Sequence, residues 1–77
     1  MKIEILGTGC AKCSALENNT KEALKEIGGF HQVEKVDDVM KIMEYNVMST
    51  PGLVVDGEVK STGKLLTVNE IIELLKN

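Results

Sequence analysis

Cys10 and Cys13 are the only cysteines of this chain, and they stand three positions apart in Gly7-Thr8-Gly9-Cys10-Ala11-Lys12-Cys13. A pair at this spacing supports two kinds of chemistry. One thiolate can attack a disulfide and the other can resolve the mixed disulfide that forms. Alternatively, both thiolates can hold a soft metal ion such as Cu(I). In either case the thiolate, not the thiol, is the reactive form. What carries the pair therefore decides what it does.

The run Ile3-Glu4-Ile5-Leu6 reads as a strand over residues 2–6. A helical pattern follows over 11–27, with Cys13, Leu16, Thr20, Ala23, Leu24 and Ile27 on one face. The cysteines thus sit at a strand-to-helix turn, where Gly7 and Gly9 let the backbone bend sharply. A helix N-terminus carries unpaired N–H groups and a partial positive charge, which make a cysteine there easier to ionise. Cys10 is expected at or just before the first turn, exposed, and Cys13 one turn in, toward the core. That asymmetry suits an attacking thiol backed by a resolving one. Lys12 adds a positive charge between them. It reads equally as a modulator of the thiolate and as a solvated surface lysine.

Length and composition bound the rest. At 77 residues the chain is expected to form one domain, residues 1–77, with a core small enough to be marginal. A Cys10–Cys13 disulfide closes too short a loop to act as a staple. One Phe, one Tyr and no Trp leave an aliphatic core of Ile, Leu, Val and Met. The nine basic residues, all lysine, are scattered, and the net charge is −3, so no basic face is offered to nucleic acid. No apolar run approaches the ~20 residues that span a membrane. Lys2 leads into a short alternating strand rather than a signal-peptide apolar region. The expected location is the cytoplasm, where a cysteine pair is catalytic or metal-binding more often than structural.

Gly28-Gly29 stops the first helix, although Asn18 and Asn19 are weak helix formers in its middle. Phe30 to Val36 reads as a second strand, with His31 near its surface-exposed start. Asp37 is the expected N-cap of a second helix, and Val39, Ile42, Met43 and Val47 its buried stripe. Met40 and Met48 read as core filler, and Tyr45 as partly exposed packing. Ser49-Thr50-Pro51-Gly52 breaks the pattern. Asp56-Gly57 between Leu53-Val54-Val55 and Glu58-Val59-Lys60 is a strong hairpin signal. Ser61 to Leu66 reads as a loop. Thr67-Val68-Asn69-Glu70 is a capping box, opening a last helix with Val68, Ile71, Ile72 and Leu75 on one side. Strand 1 to strand 2 through a helix is a right-handed parallel crossover. The expected class is α/β: a three-layer α/β/α arrangement in the order βαβαββα, with a mixed four-stranded sheet.

The chain resembles the thioredoxin superfamily in its small, glutaredoxin-like form, and most closely the miniature thioredoxin-like redox proteins of archaea and bacteria. Cys10-Ala11-Lys12-Cys13 after the first strand and Thr50-Pro51 before the third carry that resemblance, which covers nearly the whole chain. It implies that Cys10 is the nucleophile and Cys13 the resolving thiol. It also implies that Pro51 is a cis-proline facing the pair, and that Thr50 offers backbone hydrogen bonds to an extended substrate. Read alone, Pro51 is a plain turn proline. The dipeptide between the cysteines has no Pro, Gly9 stands where larger thioredoxins often have Trp, and no acidic residue is visible beneath Cys13. Ser61-Thr62-Gly63-Lys64 is only loosely similar to the glycine pair with which glutaredoxins hold glutathione, and that site is not carried over.

The main rival is a heavy-metal-associated, Cu(I)-binding domain, also built on C-x-x-C after strand 1. Its fold places a hairpin where Asp37 to Val47 reads as a helix, and gives Thr50-Pro51 no role. A structural zinc site needs four ligands, and Cys10, Cys13 and His31 supply three at most. A non-enzymatic adaptor with incidental cysteines leaves their place at a helix N-terminus unexplained. The expectation is a thiol–disulfide oxidoreductase with no cofactor and no bound metal. Its partners would be disulfide-containing protein substrates and an unidentified reductase, with no nucleic acid or membrane. The chain would act as a monomer.

Overall fold

The computed structural model describes residues 2–9 and 11–76. The elements run β1 (Lys2–Leu6), α1 (Ala11–Ile27), β2 (Gln32–Val36), α2 (Val39–Glu44), β3 (Gly52–Val55), β4 (Glu58–Thr62) and α3 (Val68–Lys76). The strands form one four-stranded sheet in the order β2-β1-β3-β4. β1 pairs parallel with β2, from Lys2↔Gln32 to Leu6↔Val36. It pairs antiparallel with β3, from Ile3↔Val55 to Leu6↔Gly52. β4 follows β3 through Asp56-Gly57, whose φ values of 50° and 84° are both positive, as a type I′ hairpin turn requires.

Alternation along the strands divides the core between the two faces of the sheet. Ile3, Ile5, Leu53 and Val55 point to one side and bury Leu16, Ala23 and Leu24 of α1 and Ile71 of α3. Leu6, Val36 and Val54 point to the other and bury Ile42 of α2 and Val47. The layers are therefore α1 and α3, then the sheet, then α2. Fully burying a Leu or Ile side chain is worth about 1.5–3 kcal/mol, and Ile3, Ile5, Leu6, Leu16, Leu53 and Ile71 are all fully buried.

Polar side chains tie the layers together. Asn19, a weak helix former, donates through Nδ2 to the Leu66 carbonyl at 2.9 Å, fastening the segment before α3 to the middle of α1. Tyr45 donates its hydroxyl to Glu4 Oε1 at 2.8 Å, closing α2 onto β1. That hydrogen bond, reinforced by partial burial, holds the phenol above its usual titration range. Gly28 N–H donates to the Leu24 carbonyl at the end of α1.

Several expectations need correction. β2 begins at Gln32 rather than Phe30: the parallel ladder among the described residues starts at Lys2↔Gln32, and Phe30 is fully exposed. The N-cap of α2 is Asp38, not Asp37: its Oδ1 accepts the Met40 N–H at 2.9 Å. Val39 and Met43 are exposed rather than buried: α2 turns Ile42 to the sheet, and Val47 reaches the same core from beyond the helix end. Met40 and Met48 are exposed and fill no core. Ile27, the last residue of α1, is exposed. β4 continues to Thr62, because Thr62 still has Gly52 to pair with.

The capping box on α3 is formed in both directions. Thr67 N–H donates to Glu70 Oε1 at 3.0 Å and Glu70 N–H to Thr67 Oγ1 at 3.2 Å. Hydrogen bonding to Thr67, backbone first and side chain second, pulls the Glu70 carboxyl below its usual 4.5. Thr67→Ala is expected to cost about 1 kcal/mol, lowering the calorimetric Tm by roughly 4–8 °C. A carboxyl whose folded-state pKa is depressed stabilises above its unfolded value and stops doing so as pH falls through the folded one. The Tm deficit of Glu70→Gln at neutral pH is accordingly expected to shrink as the pH is taken below 4.5.

Candidate active site

One end of the sheet gathers the residues of interest. Leu6 pairs with Val36 on one side and Gly52 on the other, and Gly52 pairs with Thr62. The next residues continue these ladders. Gly7 N–H donates to the Val36 carbonyl at 2.9 Å, and Gly63 N–H to the Pro51 carbonyl at 2.8 Å. Gly7, Pro51 and Gly63 thus sit side by side where β1, β3 and β4 meet the loops. α1 starts from this same end, at Ala11.

Cys13 lies on the inner face of α1 and is fully buried. It is disulfide-bonded. Cys10, the chain's other cysteine, lies outside the described residues, so its expected exposure at the first turn has no structural counterpart here. Beneath Cys13 is Gly7. A Cβ at Gly7 would stand 2.9 Å from Cys13 Cβ and would overlap Sγ outright. Gly7 therefore does more than turn the chain: its missing side chain is the space the Cys13 sulfur occupies. Sequence reading assigned Gly7 only the turn, because a glycine before a helix looks the same in either role.

Thr50–Pro51 is a cis peptide bond. Pro51 is fully buried at the start of β3, and Thr50 is exposed. Among the described residues nothing accepts the Thr50 N–H or donates to its carbonyl. That leaves the Thr50 backbone groups open to solvent beside Pro51 and Gly7. Lys12 is exposed in the first turn of α1, and among the described residues no carboxylate lies within ion-pair distance of it. His31 is remote from this end. It precedes β2 at the opposite edge of the β1–β2 pair and donates from Nε2 to the Gly28 carbonyl at 2.8 Å. Gly63 was missed as a neighbour of Pro51, since only the extension of β4 to Thr62 brings it there.

A family model described as a thioredoxin domain matches residues 1–76. The chain belongs to the thioredoxin family. With that it falls among the thiol–disulfide oxidoreductases. A thioredoxin of Methanothermobacter thermautotrophicus is 45% identical over 75 residues, spanning 97% of each chain. A thioredoxin of Methanocaldococcus jannaschii is 43% identical over 75 residues, spanning 97% of this chain and 86% of its own. The geometry agrees with the family and not with the copper-binding rival. A helix, α2, occupies the region where that fold needs a hairpin, and Pro51 has a definite place at the start of β3. No helix among the described residues is long and apolar enough to cross a membrane.

The fit of Cys13 over Gly7 is testable directly. Gly7→Ala forces a methyl group into the sulfur's position, and overpacking of this kind costs typically about 1–3 kcal/mol. Urea unfolding is expected to register that loss, and the first turn of α1 has to lift for the variant to fold. Gly7→Ala unfolding at the wild-type denaturant midpoint would show that the space is not tight.

Proposed function

We propose that this chain is a cytoplasmic, single-domain, monomeric disulfide reductase, with Cys10 as nucleophile and Cys13 as resolving thiol. The observation that carries the division of roles is the full burial of Cys13 against Gly7. A thiol so placed does not reach the disulfide of another protein. Cys10 immediately precedes Ala11, the first residue of α1, where the helix dipole favours a thiolate.

In this reading the Cys10 thiolate attacks one sulfur of a substrate disulfide. The substrate S–S bond breaks, its second sulfur leaves as thiolate, and a Cys10–substrate disulfide forms. Cys13 then loses its proton and attacks Cys10 Sγ. The substrate's remaining sulfur leaves, and the Cys10–Cys13 bond holds the oxidising equivalent. Two electrons have moved from the dithiol to the substrate. A separate reductase, supplying two electrons, restores the dithiol. Cys13 in its bonded state matches the end of this half-cycle.

The substrate segment lies in extended form along Thr50, whose N–H and carbonyl, without a partner among the described residues, offer it strand-like hydrogen bonds. Pro51 contributes no N–H of its own, and its carbonyl is already taken by Gly63. Lys12 supplies a nearby positive charge that favours the Cys10 thiolate.

Trapping separates the two cysteines. Cys13→Ser is expected to accumulate a covalent adduct with a disulfide-bonded protein, visible on a non-reducing gel and dispersed by dithiothreitol. Cys10→Ser is expected to form none. Adducts from both variants, or from neither while the wild type reduces the same substrate, would reverse or remove these roles. In the reduced wild type, iodoacetamide is expected to label Cys10 first, and Lys12→Glu to move that labelling to higher pH. Unchanged labelling in Lys12→Glu would leave the lysine a surface residue.

A further inference from the structure

Three of the chain's four methionines lie where a core filler would not. Met40 is 70% exposed, Met43 62% and Met48 98%. Met40 and Met43, three apart on α2, share a face of the helix. Asn46 N–H donates to the Met43 carbonyl, tying the end of α2 to the segment that carries Met48. Val47 turns inward onto Ile42, which leaves its neighbour Met48 pointing out. Two residues further come Thr50 and Pro51. α2 itself starts just after Val36, whose carbonyl holds Gly7. The segment that carries the three thioethers therefore leaves and rejoins the sheet at the end where Gly7 and Pro51 lie, and Met48 is the nearest of them along the chain to Thr50.

We propose that Met48, flanked by Met40 and Met43, is a peroxide-modification site whose oxidation slows exchange with protein disulfides while leaving the fold and the dithiol intact. The proposal rests on the reading that protein substrates lie along Thr50. In the reaction a lone pair of the thioether sulfur attacks one oxygen of hydrogen peroxide. The O–O bond breaks, an S–O bond forms, and the departing hydroxide leaves as water once proton transfer is complete. Sulfur is oxidised by two electrons to the sulfoxide, and peroxide is reduced by two. A thioether carries no proton to lose, so access alone governs its reactivity, and Met48 has the most. Because none of the three sulfurs is part of either core, oxidation opens no cavity and buries no polar group. What changes is the border of the site: a soft apolar side chain becomes a polar one that an incoming apolar segment must desolvate.

The experiment starts from the oxidised protein, whose cysteines are held as disulfide and consume no peroxide. Peroxide is applied in increasing amounts and removed with catalase, and dithiothreitol then restores the thiols without reducing sulfoxides. Peptide mapping is expected to find the added oxygen on Met48 before Met40 and Met43, with the melting transition still cooperative. Insulin reduction is expected to fall several-fold, and reduction of the small hydroxyethyl disulfide to stay at its untreated rate. Met48→Leu, compared with its own untreated sample, is expected to lose most of the peroxide sensitivity. Oxidised methionines with an unchanged insulin rate, an equal loss on both substrates, loss of cooperative melting, or full sensitivity in Met48→Leu would each overturn the proposal. If the untreated protein reduces neither substrate, the reductase reading itself fails and this proposal with it.

Discussion

The structure turns on a missing side chain. Cys13 can enter the core only because Gly7 has no Cβ, and Gly7 can sit beneath it only because its N–H is engaged by Val36 at the end of the parallel ladder. One residue thus joins the last rung of the sheet to the first turn of α1. Its geometry fixes how closely the helix descends onto β1, and with that how deep Cys13 lies. The same rung determines what else is nearby. Because Leu6 is flanked by Val36 and Gly52, the start of α2 and the Thr50–Pro51 corner are brought to the cysteine segment by strand register rather than by contacts of their own.

Two small cores hold that end of the sheet still. Strands β1 and β3 are central, so their alternate residues serve both faces: Ile3, Ile5 and Leu53 toward α1 and α3, Leu6 and Val54 toward α2. The larger core carries the long cysteine-bearing helix, and Asn19 adds a hydrogen bond that commits this helix to the Leu66 segment. The smaller core carries a helix of six residues, too short to be stable alone. It is held by Ile42, by Val47 and by the Tyr45–Glu4 hydrogen bond. The surface ion pairs add little at their exposed positions.

Much of this was legible from residue order. β1 and α1 have the bounds that their periodicities indicate, because the period changes from alternating to helical across two glycines and the helix ends at another pair. The hairpin and the capping box were legible because each needs particular residues at particular offsets, and the hydrogen bonds are those the motifs require. What was not legible depended on partners far along the chain. Phe30 looks like a strand residue, yet the parallel ladder with β1 takes up the chain only from Gln32. Two adjacent aspartates compete to cap α2, and only the backbone path after Val36 selects Asp38. The methionines are apolar in any list, yet a six-residue helix over a narrow strip of sheet has one buried face and leaves them outside. At the site, the cysteine pair and the Thr-Pro corner were evident by type. The steric role of Gly7 and the nearness of Gly63 to Pro51 were not, since both follow from register.

The position of β1 in the middle of the sheet bears on how the protein is made. Its first partner, β2, arrives only after the whole of α1, and its second, β3, only after α2. Until then the first strand has unpaired edges, and Cys13 is synthesised ahead of both strands that pair with β1. Ladders joining such distant segments are slow to form compared with helical contacts. For a nascent chain this means a period in which Cys13 has no core to enter. Its burial has to wait until α1 settles onto Gly7 and the sheet.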